Sequence, residues 1–442
     1  MGEFFLIETR EGTPSLGYRE NEREIRLHSI YAPLREAAKF IHSRKKEIDK
    51  AKAILVYGLG MGYHLKELEK YLTPNKKVYV LEMNPKILKY TKQVFSISEY
   101  KKRGFIFLVS DNLNKVKSFI SNLITEYNKD EFLLLIHQPS LKIIPENCLP
   151  IRHLLEDWEI KRETFDRYSE VMEKNFEENI LRIKDYYFIE PFKNKFKDIP
   201  IVIVSAGPSL KYNKHHLLEL KGKALIFAVG SVVKLLVKMG LIPDCMVITD
   251  PHLSVCRQIE NLDLEIPLFF FPTIQPQIVQ NYKGPKVVLF QKGFEKSENL
   301  ARKCSFTLIE TGGSVATTAL ELAIYFGGNP IIFVGQDLAY TEGKSHVEGS
   351  TSYQFKPRLN SRWVKGINGE LISTGKNLSI YLKWIENKIF QNPHIQFIDA
   401  TEGGAYIEGT QILSLEQVKN ELDTHIQIDS LLQEALKKEM GA

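Results

Sequence analysis

Short apolar runs along the chain alternate with segments whose apolar residues have helical spacing. The first four runs, which predict strands, lie at 53–57, 78–82, 105–109 and 132–136. Helices are predicted over 31–51, before these runs, and over 112–127, between the last two. Strands that alternate with helices are typical of a parallel sheet covered on both faces, so residues 1–150 are interpreted as an N-terminal Rossmann-like domain.

A second alternating unit follows a long segment without strand-like runs. Residues 151–197 are rich in Glu, Lys, Arg and aromatic residues and contain no glycine, so they predict a helical connector. The apolar runs beyond it predict strands at 201–204, 224–229, 245–249, 267–271, 286–290 and 330–334. Helices are predicted at 211–220, 231–240 and 314–326. We interpret residues 198–374 as a second α/β domain and residues 375–442 as a closing motif with a helical C-terminal region.

Composition narrows the class of protein without choosing a function. The chain has 442 residues, of which 43% are hydrophobic and 26% charged, which indicates two or three folded domains and excludes a disordered chain. The net charge is only +5, and acidic and basic residues are mixed along the sequence, so no nucleic-acid partner is predicted. Lys234, Lys238 and Glu321 interrupt the long apolar stretches, which argues against a membrane span.

The cysteines and the N-terminal residues predict a cytoplasmic protein. Four cysteines (Cys148, Cys245, Cys256, Cys304) lie far apart without metal-ligand spacing, as is typical of reduced thiols. The first residues lack the basic and apolar regions of a signal peptide. The sequence contains no clear pair of acidic metal ligands, so no cofactor is required, and Asp250 leaves a divalent metal as an open question.

A glycine-rich turn follows the first strand of the N-terminal domain. Gly58, Gly60 and Gly62 open a helix, and Glu82 ends the next strand, a spacing that resembles the first motif and acidic residue of methyltransferases that use S-adenosylmethionine. Asp111, after the third strand, extends this pattern. A tight strand–helix turn that binds nothing explains the same glycines, and we expect no binding of S-adenosylmethionine.

Small and polar residues follow four strands of the second domain. The segments that carry them are 205–209, 250–252, 311–315 and 335–348. Because ligands of open α/β sheets bind at the carboxyl ends of the strands, these segments predict one site. Backbone N–H groups at the start of a helix suit a phosphate at 205–209. The candidates for acid, base and orienting groups are Asp250, Asp337, Tyr340 and His346.

These segments resemble the motility accessory factor (Maf) family, the bacterial flagellin glycosyltransferases. The resembling runs are SAGPSL (205–210), AVGSVVKLLVKMGLIPDCMVITDPH (228–252), GGSVATTALELA (312–323), VGQDLAYTEGKSHVEG (334–349) and DATEGGAYIEGT (399–410). They occur in the expected order between about residues 198 and 410. The resemblance implies two Rossmann-like parallel-sheet domains, the second of them sialyltransferase-like, with a helical connector and a helical C-terminal region.

The resemblance also implies an activity. It is the transfer of a nonulosonic acid (sialic, pseudaminic or legionaminic type) from a CMP-activated donor to Ser or Thr of flagellin, by direct displacement with inversion. The residues that it places around the donor nucleotide and phosphate are Gly207, Pro208, Ser209, Gly230, Ser231, Asp250, Gly313, Ser314 and Val315. It makes His346, Asp337 and Tyr340 catalytic, and it places Lys344, Thr401, Glu402, Gly403 and Gly404 in a loop for the sugar or the acceptor.

One pair of residues departs from the family pattern. Relatives often carry Asp or Asn with Thr or Ser where this chain has Gly230 and Ser231. Any nucleotide contact that depends on the missing side chain is therefore in doubt.

Two other functions stay open at this point. Archaeal proteins that resemble residues 200–350 transfer pyrophosphate to a pterin alcohol, as 6-hydroxymethylpterin diphosphokinases do. They lack the N-terminal domain and the long tail, so the length of this chain favours the glycosyltransferase. The other alternative is a flagellin-binding accessory protein, in which the N-terminal domain docks flagellin or holds the second domain.

Overall fold

The computed structural model describes residues 2–128, 131–352, 361–422 and 424–437. The chain divides into two compact units, Met1–Ile160 and Lys161–Ala442. Among the described residues, no helix is both long enough and apolar enough to cross a bilayer.

The first unit contains a three-stranded antiparallel sheet and a four-stranded parallel sheet. Its strands are β1 (Glu3–Ile7), β2 (Ser15–Glu20), β3 (Arg23–Arg26), β4 (Ala53–Tyr57), β5 (Lys77–Glu82), β6 (Phe105–Val109) and β7 (Phe132–Ile136). Its helices are α1 (Pro33–His42), α2 (Lys45–Lys50), α3 (Tyr63–Glu69), α4 (Leu88–Thr91), α5 (Ile97–Lys102), α6 (Leu113–Glu126) and α7 (Gln138–Leu141), and α8 (Leu149–Ile180) begins in it.

The parallel sheet of the first unit has the order β6-β5-β4-β7. Side chains alternate along β4, so that Ile54 and Val56 join one apolar core while Leu55 and Tyr57 join the core on the opposite face. The direction of the strand order reverses between β4 and β7, which places the crevice of this sheet beside the glycine-rich turn. The antiparallel sheet β1–β3 was not predicted, because its short strands carry many charged residues.

The second unit is built on a nine-stranded sheet. The strands of this unit, nine of which form that sheet, are β8 (Tyr187–Phe188), β9 (Ile201–Val204), β10 (Leu225–Val229), β11 (Cys245–Ile248), β12 (Leu268–Phe270), β13 (Lys286–Val288), β14 (Phe290–Gln291), β15 (Leu308–Ile309), β16 (Ile331–Val334), β17 (Ser361–Lys365), β18 (Leu371–Gly375), β19 (Phe397–Asp399) and β20 (Gln411–Ile412). Its helices are α9 (Leu210–Asn213), α10 (Gly230–Lys238), α11 (Pro276–Asn281), α12 (Glu295–Cys304), α13 (Val315–Tyr325), α14 (Lys376–Gln391), α15 (Leu415–Glu421) and α16 (Ile428–Ala435).

The order of this sheet is β20-β19-β16-β9-β10-β11-β12-β13-β8, and every neighbouring pair is parallel. The inner strand β9 pairs with β10 on one side and with β16 on the other, with Val204 aligned to Ala228 and to Val334. The strand order reverses between β9 and β16, so the loops after these two strands border the crevice in which α/β sheets bind ligands.

Two predicted helices differ from the observed ones, and one hairpin was not predicted. The predicted helix at 211–220 is one turn of α-helix, α9, followed by a 3₁₀ helix at Lys214–Leu220. The helix predicted over 31–51 is two helices, α1 and α2. The hairpin of β17 and β18 was not predicted, because a two-stranded ribbon has too little apolar alternation to stand out from a loop.

Candidate functional site

The loop after β9 and the loop after β16 are joined by a buried carboxylate. Ser209 donates its hydroxyl to Asp337 Oδ1 over 2.7 Å, and its backbone N–H also points at the two carboxylate oxygens. Thr341 donates its hydroxyl to the other oxygen, Asp337 Oδ2. Asp337 is only 2% exposed, so its carboxylate organises the loops from inside rather than facing solvent.

Close packing at this junction explains a predicted glycine. A Cβ on Gly207 would overlap both Asp337 Oδ1 and the carbonyl oxygen of Gly335. The Gly207 N–H donates to that same carbonyl over 2.8 Å. The two loops therefore approach so closely that no larger residue fits between them.

The loop after β19 packs onto the same carboxylate. Ala405 donates its N–H to the carbonyl of Asp337 over 2.7 Å, and Gln336 donates its N–H to Thr401 Oγ1 over 3.2 Å. A Cβ on Gly404, which has a φ of +82°, would overlap the backbone of Asp337. The predicted closing residues thus lie directly against the predicted catalytic loop. Glu402 is the outward member of this group, and its carboxylate accepts hydrogen bonds from Asn213 and from the Leu415 N–H.

The segment that carries His346 is hydrogen bonded to the first loop. Val347 donates its N–H to the Ala206 carbonyl over 2.8 Å, and Thr351 donates its N–H to the Ser231 carbonyl over 3.2 Å. His346 is half-buried with Nδ1 3.1 Å from Ser345 Oγ, and its burial lowers the pKa of the imidazole. Neutral imidazole is the form that accepts a proton, so this side chain is suited to act as a base near neutral pH.

Tyr340 and Lys344 complete this part of the site. The Tyr340 N–H donates to the Ser373 carbonyl of the β17–β18 hairpin over 2.8 Å, and its hydroxyl packs where a Cβ on Gly375 would lie. Both Tyr340 and Lys344 are half-buried in the loop that leads to His346. The hairpin therefore holds the loop at Tyr340, while Tyr340 and Lys344 stay partly exposed.

A second group of predicted residues lies at the end of β11. Asp250 is half-exposed and accepts the His252 N–H over 2.9 Å. Burial raises the pKa of Tyr381, on α14, and the nearby charges of Asp250 and Tyr168 add to the rise. Tyr168, on α8, packs edge-on against His252 with ring centroids 4.6 Å apart. Two aromatic side chains from outside the predicted motifs thus lie near the segment of Asp250 and His252.

The turn before α13 joins this second group. A Cβ on Gly313 would lie 3.5 Å from the Tyr381 ring. Ser314 caps α13 by accepting the Thr317 N–H, and the Thr317 hydroxyl accepts the N–H groups of Gly312 and Ser314. The turn is therefore a well-capped helix start.

Two asparagines of α8 fix the loops around Asp250. Asn175 donates through its side-chain amide to the carbonyls of Pro251 and Thr273, over 3.1 and 3.0 Å. Asn179, one helical turn later, donates to the carbonyls of Pro272 and Ile274, over 2.8 and 2.9 Å. Sequence reasoning missed both residues. Two asparagines four positions apart in a long helix, where asparagine has a low propensity, were the available signal.

Hydrogen bonding within the protein changes the interpretation of the turn at 205–209. It was expected to offer backbone N–H groups to a phosphate. In the structure, the Gly207 N–H donates to Gly335 O and the Ser209 N–H donates to Asp337, while Pro208 has no N–H. These donors hold the loops together, so they are already used within the protein.

A second carboxylate lies beside Asp337. Burial raises the pKa of Asp399 to about 6, and the charge of Asp337 adds to this rise. Burial also raises the pKa of Asp337, which its hydrogen bonds from Thr341 and Ser209 oppose. Burial and the charge of Asp337 therefore both favour the protonated form of Asp399. In the described parts of the chain, no group of three or more His, Cys, Asp or Glu residues is arranged to hold a metal ion.

Comparisons with known proteins identify the fold. Residues 174–343 match the family model "MptE-like: 6-hydroxymethylpterin diphosphokinase MptE-like". The structure of the Maf glycosyltransferase from Magnetospirillum magneticum AMB-1 is similar to 98% of this chain and 73% of its own, with a TM-score of 0.53 and 14% sequence identity. The chain has the fold of a Maf glycosyltransferase. The predicted two-sheet α/β architecture and the resemblance to Maf proteins are thus confirmed at the level of the fold.

One curated protein is similar to part of this chain. It is an uncharacterized protein of Treponema pallidum (strain Nichols), 25% identical over 147 aligned positions, which cover 25% of this chain and 37% of that protein. The chain therefore matches little more than a third of the length of this relative.

Proposed function

We propose that the protein is a glycosyltransferase that moves a nonulosonic acid from a CMP-activated donor to Ser or Thr of flagellin in the cytoplasm. One observation carries this proposal: the hydrogen bond from Val347 to Ala206 holds His346 beside the switch point of a Maf-type sheet. A neutral, half-buried imidazole at the ligand crevice is the group that activation of a hydroxyl requires. In this proposal residues 198–374 form the catalytic domain.

The chemistry needs little from the protein beyond orientation and one proton transfer. The acceptor hydroxyl attacks the anomeric carbon, the bond from that carbon to the phosphate oxygen breaks, and CMP departs with the bonding electrons. His346 takes the hydroxyl proton, and direct displacement inverts the anomeric configuration. Lys344 and Tyr340 lie in the same loop and stabilise the charge on the departing phosphate.

Asp337 has a positioning role in this proposal. Its oxygens accept hydrogen bonds from Ser209 and Thr341, and it is nearly inaccessible. It fixes the loops after β9 and β16 relative to each other, which sets the position of the segment that carries His346. A Cβ on Gly403 would lie 3.6 Å from Asp337 Oδ2, and a Cβ on Gly404 would overlap the Asp337 backbone.

The nucleoside is proposed to bind at the second group of residues. Asp250 accepts hydrogen bonds from the ribose hydroxyls, and the rings of Tyr168 and Tyr381 border the base. Gly230, Ser231 and the Gly313–Val315 turn lie at the starts of helices on the same edge of the sheet. This pocket does not need a side chain at position 230.

A specific observation favours one alternative. The family model that matches residues 174–343 is described by a pterin diphosphokinase. In that case ATP would be the donor and a hydroxymethyl group of a pterin the acceptor. A phosphoryl-transfer site of this kind needs cationic groups around the phosphates, and Lys344 fits both functions.

Intact-mass spectrometry of flagellin co-expressed with this chain and a donor pathway tests the proposal. We expect an added nonulosonic acid with the natural chain and with His394→Gln, since His394 is exposed and is not among the proposed site residues. We expect an unmodified flagellin with His346→Asn. Unmodified flagellin with the natural chain, together with ATP-dependent formation of a pterin diphosphate, would instead support the alternative.

A further inference from the structure

Three buried histidines surround the glycine-rich turn of the first unit. His28 follows β3, His64 lies on α3 and His137 follows β7, and each is at most 7% exposed. The rings of His64 and His137 are stacked with centroids 4.9 Å apart, and the ring of His28 lies 4.8 Å from that of His137. The cluster sits at the β4/β7 switch point, where a Rossmann-like sheet binds its cofactor.

The histidines occupy the hydrogen-bonding positions that a ligand would use. The Met61 N–H, at the end of the glycine-rich turn, donates to His28 Nε2 over 2.9 Å. A Cβ on Gly60 would overlap the same nitrogen. His64 Nε2 lies 2.9 Å from the Gly58 carbonyl oxygen and donates to it. Glycines in such a turn usually allow a phosphate to approach the backbone. Here imidazole rings approach the backbone instead.

The carboxylate that was predicted to bind ribose is also held by hydrogen bonds within the protein. Glu82 is fully buried, and its carboxylate accepts the N–H groups of Leu59 and Asn84, each over 2.8 Å. A carboxylate that binds ribose must face the crevice. Here it holds the glycine-rich turn from beneath.

Two of the three rings have a place for one proton and no place for a second. His28 Nε2 must stay unprotonated to accept from Met61. His64 Nδ1 is buried and has no hydrogen-bond partner among the described residues. A second proton would break the hydrogen bond at His28 or create a buried N–H without an acceptor at His64. His137 Nδ1 lies 2.8 Å from Ser140 Oγ, which can donate or accept, so at this ring burial and the two neighbouring histidines oppose a second proton.

We infer that the glycine-rich cradle of the first unit is closed by its own histidines, that it takes no adenosine cofactor, and that it opens when these rings gain protons. The inference does not depend on the function proposed for the second unit. Burial lowers the pKa of His28 to about 3 and that of His64 to about 4, and it lowers the pKa of His137 well below its ordinary value.

Other ionisable groups face the cluster and oppose part of this effect. Burial raises the pKa of Glu82 to about 7, so the folded state binds a proton there below that pH. Glu36, on α1, lies 3.9 Å from His28 Nδ1, and burial raises its pKa in the same sense. Burial raises the pKa of Tyr63, whose ring packs edge-on against His28, to about 12, so it stays neutral here.

The sign of the pH dependence follows from these groups. Between pH 6 and 5 the unfolded chain binds about three more protons on the histidines, and the folded chain binds about one more on Glu82. Each uncompensated proton multiplies the unfolding equilibrium constant about tenfold per pH unit, so that constant rises up to about 100-fold as the pH falls by one unit. The stability that the three neutral histidines contribute is therefore present above pH 6.5 and is lost as the pH falls below that value.

Denaturant titration of the full chain at pH 6 and pH 5 tests the inference. Trp158 is the one tryptophan of the first unit, so Trp363→Phe and Trp384→Phe leave a fluorescence probe for that unit. His64→Gln keeps a donor for the Gly58 carbonyl and removes one titrating ring, so we expect its pH effect to be about tenfold smaller. His42→Gln, an exposed histidine of the same unit, should retain the full effect.

Equal pH effects in the His64→Gln variant and the parent would overturn the inference. If that variant does not fold, imidazole NMR of the unaltered chain decides: three rings that stay neutral down to pH 5 support the inference, and titration of all rings near pH 6.5 contradicts it. Calorimetry with S-adenosylmethionine should show no binding at neutral pH. Binding at micromolar concentration would show that the cradle is open.

Discussion

Ser209 and Asp337, which are 128 residues apart in the sequence, share three hydrogen bonds in the core of the second unit. The contact closes the gap between the loops after β9 and β16, where the strand order of the sheet reverses. Sequence analysis assigned this carboxylate to catalysis; its burial favours the positioning role proposed above, with His346 as the proposed base.

Replacing Asp337 by Asn keeps the size of the side chain and removes its charge. Asparagine keeps the volume but offers one acceptor oxygen and an N–H₂ donor that opposes Ser209 and Thr341. We expect the free energy of unfolding to fall by about 1–3 kcal/mol, because buried donors lose their acceptor. Transferase activity should fall in parallel. Chemical denaturation measures the first effect, and Asp263→Asn, at an exposed ion pair with Lys283, should change it by less than about 0.5 kcal/mol.

Replacing His346 by Asn should lower the transfer rate by about 10²–10⁴-fold and leave donor binding intact. The rate of the unaltered enzyme should fall as the pH drops, with its midpoint below the ordinary pKa of histidine, since burial lowers the pKa of this imidazole and the neutral form is the active one. A pH–rate profile with CMP-sugar and flagellin measures both. A variant with full activity would remove His346 from the role of base.

The two asparagines of α8 offer a matched pair. Asn175→Ala releases the Pro251 carbonyl next to Asp250, whereas Asn179→Ala releases only Pro272 and Ile274. Each should lower the free energy of unfolding by about 1–3 kcal/mol. Only Asn175→Ala should also weaken binding of CMP, measured by calorimetry. Equal CMP affinity in the two variants would contradict the placement of the nucleoside at Asp250.

Alanine at position 207 should be far more damaging than alanine at an open glycine. Its Cβ overlaps Asp337 and a backbone oxygen, so the loops after β9 and β16 must separate, at a cost of about 3 kcal/mol or more. Gly240 has open space and a φ of +84°, so Gly240→Ala meets only backbone strain of about 1–2 kcal/mol. Thermal unfolding of the two variants gives the comparison. Equal losses would show that the two loops have room to adjust.

Much of the fold was available from local patterns. The runs at 53–57, 105–109, 132–136 and 201–204 are strands with the predicted bounds, because β-branched and aromatic residues between turn residues favour extended backbone. The order of the site loops along the chain was also predicted. The parts that were missed, such as the β17–β18 hairpin, have no long apolar pattern and are held by contacts with distant loops.

The sequence by itself determined the two alternating α/β units, the polar loops after the strands, and the resemblance to Maf proteins, since these depend on residues close together in the chain. Tertiary structure decided which way the side chains of those loops are used. It buried Asp337, brought Tyr168 and Asn175 from the helical connector to the loop at 250–252, and placed His28 against the glycine-rich turn. Each of these outcomes depends on partners far away in sequence, whose meeting is set by burial and hydrogen-bond satisfaction across the whole unit.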